Sequence, residues 1–218
     1  MGWGSVRACI VLLLCGLLGA CAAPNIPQDY KLAESGGKGV AAGSITYQGV
    51  YGSYRVRIVA KSDGAEYSIK HGSATTMDIS LAFRGEAPDA NLRQTGSPFA
   101  IELPAGRYVI KSWQVSSGAA NIVSAAPIDI EFDVRAGQAI YLGNFHFRQT
   151  SHVFRLMTGA SAQLSDKADR DIPVLKARFP ALAQTPITEA LAREANFADL
   201  GGSGSTRITI PIFVPVKR

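Results

Sequence analysis

"SYRVRIVAK", Ser53–Lys61, decides the fold class. Tyr54, Val56, Ile58 and Ala60 alternate with Arg55, Arg57 and Val59, the period-two pattern of a strand with one buried and one solvated face. The pattern recurs in EYSIKHG (66–72), MDISLAFRG (77–85), FAIELPAGRYVIKSWQV (99–115), IDIEFDV (128–134) and QAIYLGNFHFR (138–148). Breaks fall at Ser62-Asp63-Gly64, Gly72-Ser73, Pro88-Asp89, Pro104-Ala105-Gly106, Ser117-Gly118 and Ala136-Gly137. Short alternating strands with turn signals about every dozen residues predict a mainly β chain folded as an antiparallel β-sandwich.

Beyond this region the period lengthens. SDKADRDIPVLKARFP (165–180) puts Ile172, Leu175 and Phe179 at helical spacing, with Ser165 or Asp166 as a cap and Asp169 and Asp171 near the amino terminus. TPITEALAREANFADLGG (185–202) reads as a second helix, capped at Thr185, with Pro186 in its first turn and Gly201 at its end. TRITIPIFVPVKR (206–218) reads as a last strand, and Pro211 and Pro215 each remove a ladder donor, which confines it to an edge. The expectation is a sandwich domain over 44–218, with one or two C-terminal helices inserted near 165–200 and a final edge strand.

Ahead of the domain, Ala22–Gly43 holds Pro24, Pro27, Gly36, Gly37 and Gly39 with little periodicity and reads, from residue 21 on, as a flexible tether. A coil of about 20 residues averages roughly 25 Å end to end. Further upstream, Arg7 precedes an uncharged apolar run, Ala8–Leu18. That run is far short of the roughly 20 residues a bilayer requires and has the character of a signal-peptide core. It ends in Leu18-Gly19-Ala20-Cys21. These four residues resemble the lipobox of bacterial lipoproteins. The resemblance implies a signal peptide over 1–20, cleavage after Ala20 and a diacylglyceryl group, with palmitate-type acyl chains, on the sulfur of Cys21. Two or more such chains hold a protein stably on a membrane. Ala22 and Ala23 follow where an aspartate would signal inner-membrane retention, so the resemblance implies the outer membrane; the expected orientation is toward the periplasm, with the cell exterior as the alternative. Cys9, Cys15 and Cys21 are the chain's cysteines, so the mature domain has no disulfide framework.

A second resemblance covers about residues 99–180. Pro104, Gly106 and Tyr108, then Gly137, Tyr141, Leu142 and Gly143, resemble paired turns of a transthyretin-like or carboxypeptidase-regulatory-like β-sandwich, a type common in uncharacterised bacterial lipoproteins. It implies a fold and is silent on activity.

The 218 residues carry a formal net charge of +5, with cations scattered rather than clustered among aromatics, so no nucleic-acid partner is expected. No Gly-x-Ser-x-Gly elbow is present, and Gly36–Gly39 lacks P-loop spacing. Glu86, Asp89 and Glu102 form no catalytic pair in sequence, and Asp166, Asp169 and Asp171 lack the glycine and late glutamate of a calcium loop. Tyr47, Tyr51 and Tyr54 read as packing residues, with a sugar-stacking patch as the alternative. The histidines are His71, His146 and His152, without a third partner at zinc spacing. HFRQTSH (146–152) reads as a turn flanked by His146 and His152; with Arg148 and Arg155 it would form a basic hairpin end able to bind a phosphate or carboxylate. The expected function is a lipid-anchored cell-envelope protein with a non-enzymatic binding or scaffold role. No cofactor, metal or catalytic residue is expected, and another envelope protein is the candidate partner through strand addition. The alternative is a small-ligand, lipid or glycan-binding lipoprotein that uses the 146–155 hairpin. A hydrolase has least support.

Overall fold

The computed structural model describes residues 24–73, 86–117, 120–153, 156–190, 200 and 205–208. In chain order these form β1 (Lys38–Gln48), β2 (Ser53–Ala60), β3 (Glu66–His71), β4 (Thr95–Pro104), β5 (Gly106–Ser117) and β6 (Ala120–Val123). There follow β7 (Ile130–Val134), β8 (Ala139–Val153), β9 (Leu156–Ser165), α1 (Ala168–Arg178), β10 (Ile187–Glu189) and β11 (Ser205–Ile208). Among the described residues the fold is mainly β, as the alternation predicts, with one α-helix. The strand expected at 77–85 lies outside the described residues.

Two sheets pack face to face. The first has the order β11-β6-β5-β2-β3, with β7 also on β5; the second has the order β10-β8-β1-β4, with β9 also on β8. Every pair in the first sheet is antiparallel. The second is mixed, because β1 and β10 both run parallel to β8. Between the sheets lies the main core, built from the inward halves of the alternating strands: Tyr54, Val56 and Ile58 from β2, Trp113 and Val115 from β5, Phe99 and Ile101 from β4, Phe145 and Phe147 from β8.

Sequence alternation breaks early in β8, for a visible reason. Tyr141 pairs with Ala42 and Asn144 with Ser44, so β8 carries one residue more than β1 across this step. Gly143, at φ 109°, occupies the bulge, a conformation that favours glycine. Leu142 and Phe145 therefore both face the main core, while Tyr141 and Asn144 face outward.

The outward side of the second sheet is covered rather than solvated. Leu175 and Phe179 of the α1 region bury against Val40, Ala42, Ala139 and Tyr141, and Ile26 and Leu32 complete this second core. The helix forms where expected, and Asp166 accepts the Ala168 N–H at 2.8 Å at its start.

Three expectations are corrected. The tether is much shorter than 21–43: Ile26 N–H donates to the Ala100 carbonyl at 2.8 Å, the Asn25 side chain accepts from Ala100 N–H, and β1 already begins at Lys38. Gly39 serves close packing, since a Cβ there would stand 2.3 Å from the Arg135 carbonyl oxygen. The second helix fails at its start, because Ile187–Glu189 pairs with Ala139–Tyr141 and adds a strand to the part of β8 that β9 leaves free. Residues 191–199 of that segment lie outside the described residues. The turn at 146–152 is absent, because β8 runs unbroken from Ala139 to Val153 and pairs with β9 as far as Val153. The final strand does form at an edge, as β11 beside β6; residues 209–218 lie outside the described residues.

Candidate functional site

Loss of that turn disperses the expected anion hairpin. His146 and His152 stand six positions apart along one strand, which separates them by roughly 20 Å. His146 is half-buried on the α1 side, its Nδ1 2.9 Å from Thr46 Oγ1. Burial, then Arg148, then Arg170 hold its imidazole below the usual range. A neutral, half-covered imidazole is a poor anion clamp. Arg148 lies on the same strand with its side chain exposed. Arg155 and Cys21 lie outside the described residues.

What surrounds His146 is a buried polar network under α1. Asp171, 1% exposed, accepts at Oδ2 from Ser44 (2.6 Å) and Tyr141 (2.8 Å), and at Oδ1 from Arg170 Nε (2.7 Å). Asn144 Nδ2 donates to Ser44 and Thr46. Arg170 donates onward to Gln94 Oε1 and the Leu92 carbonyl. Burial, and then the Asp171 charge, push the Tyr141 phenol above its usual range. The carboxylate is charge-paired, its oxygens are occupied, and it lies on the buried face of α1 against the sheet. Such an arrangement pins α1 to the sheet and offers no substrate a place to react.

A second constellation was invisible in the sequence because its members are far apart along the chain. Ser97 Oγ lies 2.8 Å from His71 Nδ1, and His71 Nε2 lies 2.9 Å from Glu86 Oε2. The Tyr47 hydroxyl donates to the same carboxylate oxygen at 3.0 Å. With Glu86 accepting at Nε2, a neutral imidazole carries its proton there and accepts the Ser97 proton at Nδ1. That is the hydrogen-bond order of a serine relay. Two features oppose it. Tyr47 and Tyr54 rings pack beside the imidazole, and Pro98 follows the serine, so the next residue has no N–H to steady an oxyanion. Tyr47 and Tyr54 are core residues, as expected, stacked at 4.4 Å between centroids.

The open polar surface lies on the outward side of the first sheet. Arg55, Arg57, Glu66, Ser68 and Lys70 line a cavity of about 140 Å³ there, Glu66 being held by Arg57. A larger one, about 440 Å³, lies beside β7 and β10. There Arg107 is paired with Asp133 and Glu131 with Lys61. No group of three or more His, Cys, Asp or Glu side chains is placed to hold a metal among the described residues.

No protein-family model matches the chain. No curated protein matches it. Among solved structures, a leucine-rich repeat protein from Bacteroides thetaiotaomicron, determined at 2.80 Å, overlays with a TM-score of 0.28 and 12% identity, over 49% of this chain and 13% of that one. The chain thus spans a small part of that protein, and so slight a likeness carries no argument.

Proposed function

We propose that this is a lipid-anchored envelope protein whose domain works by binding rather than by catalysis. The observation that carries the reading is Leu18-Gly19-Ala20-Cys21 at the end of a short apolar run. In this reading Cys21 bears the acyl chains, residues 1–20 are removed, and the protein resides at the outer membrane facing the periplasm. Only about four residues separate Cys21 from Asn25, which is already bonded to β4, a reach of at most roughly 14 Å. The anchor therefore holds the domain close to the lipid surface in a restricted orientation, which suits a scaffold. The edge strand β11 is the candidate for accepting a partner's strand. No helix among the described residues is long and apolar enough to cross a membrane.

Intact-mass measurement of the protein from bacterial membranes tests the anchor. The expected species begins at Cys21 and carries diacylglyceryl mass, and Cys21→Ala abolishes it. An unmodified Cys21 in the wild type sinks the reading. A second reading rests on Ser97–His71–Glu86, a hydrolase with Ser97 as nucleophile. A fluorophosphonate probe separates the two: a covalent adduct on Ser97, lost in His71→Ala, establishes the hydrolase, whereas an unlabelled Ser97 removes it.

A further inference from the structure

We propose that the outward face of the first sheet carries an oxyanion site, centred on Arg55 and Lys70, for a phosphomonoester group. The inference does not depend on anchoring at Cys21. Strand register creates the site. Arg55 on β2 pairs directly with Lys70 on β3 and with Gln114 on β5. Like charges directly opposite each other repel across a ladder, and a sheet face tolerates them best when an anion sits between.

The neighbouring row shows what a satisfied arrangement looks like. Arg57, two residues along β2, donates through Nε and Nη2 to both carboxylate oxygens of Glu66. No carboxylate reaches Arg55 or Lys70 among the described residues. Among the described residues Arg55 makes no hydrogen bond through its guanidinium; its Nε is closed off from solvent, so its outer nitrogens are the ones a ligand can reach. Those outer N–H groups are unfilled donors on a planar guanidinium, a group whose geometry matches a phosphate. Desolvation, and then Arg55 itself, hold the Lys70 ammonium below its usual range, so the pair gains from a nearby negative charge. Ser68 and Ser112 add hydroxyls at the margin of the same cavity.

Size narrows the ligand class. Whole small-molecule sites run to roughly 300–1,000 Å³, whereas this cavity is about 140 Å³. It accommodates a charged group, with the remainder of the ligand lying outside. A lipid headgroup and a soluble sugar phosphate both present that group.

Titration calorimetry on the full-length chain in non-ionic detergent tests the proposal with inorganic phosphate as the probe. The expected result is saturable binding, weakened about tenfold or more by Arg55→Gln and by Lys70→Gln and unchanged by Arg107→Gln, which removes an exposed cation elsewhere. Absence of saturable binding, or equal loss in all three variants, overturns it. Melting without phosphate guards against misfolding, and Lys70→Gln alone decides the matter if Arg55→Gln does not fold. Dihexanoyl phosphatidic acid below its micelle concentration distinguishes the sources: affinity well above that of phosphate points to a lipid headgroup, and equal affinity points to a soluble phosphomonoester.

Discussion

On the outward side of the second sheet, Asp171 is 1% exposed and bonded to Ser44, Tyr141 and Arg170. On the outward side of the first sheet, Arg55 and Lys70 face each other with no carboxylate between them among the described residues. Both faces carry charge: on one, Asp171 of α1 is held against β1 and β8; on the other, Arg55 and Lys70 stand on β2 and the terminal strand β3. In one, the charge sits on the buried face of the helix itself and its bonding is complete within the chain. In the other, the donors remain open. A polar cluster that satisfies itself holds structure together; one that leaves donors unfilled is set up to meet something else.

The largest effect should come from opening the closed face. Asp171→Ala leaves Arg170 without its carboxylate under α1, and the expected loss is about 3–5 kcal/mol in urea unfolding. A loss under about 1 kcal/mol would mean the network is incidental. Tyr141→Phe removes one hydrogen bond to Asp171 and should cost about 1–2 kcal/mol in the same assay.

Acid should act on the closed face through His146. Its folded pKa lies below the ordinary 6.5, so the unfolded chain binds more protons as pH falls. The stabilisation is therefore fully present above about 6.5 and lost as pH drops through that value toward the folded pKa. His146→Gln should flatten the change in urea midpoint between pH 7.5 and 5.5, and an unchanged slope would remove His146 from this account. The smallest effect belongs to the open face. Lys70→Gln should leave stability within about 0.5 kcal/mol of wild type or raise it slightly. A clear loss would show that Lys70 has a structural partner after all.

These two faces differ in how much of them the sequence discloses. The alternation of Tyr54, Val56 and Ile58 gave β2 directly, because each residue's environment repeats every second position. The helical spacing of Leu175 and Phe179 likewise gave α1. Elements whose reason is a neighbour were hidden. Ile187–Glu189 joins β8 because an edge was free there, which the capping signal at Thr185 and Pro186 cannot register. Gly39 and Gly43 read as flexible, yet a Cβ on Gly43 would stand 2.4 Å from the Gly143 carbonyl oxygen. Glycine marks close approach as readily as freedom. The polar stretch from His146 to His152 has the composition of a turn, yet it is strand, because α1 partly covers that side of β8 and polar groups pair there. Ser97, His71 and Glu86, and the pairing of Arg55 with Lys70, exist only once the register is set.

The contrast between a closed and an open face is best tested by following backbone amide shifts of the isotope-labelled chain while inorganic phosphate is added. The account predicts saturating shifts around Arg55, Lys70 and Gln114, with Ser44, Asn144 and Asp171 unmoved. Shifts centred on the Asp171 network, or none near Arg55, would contradict it.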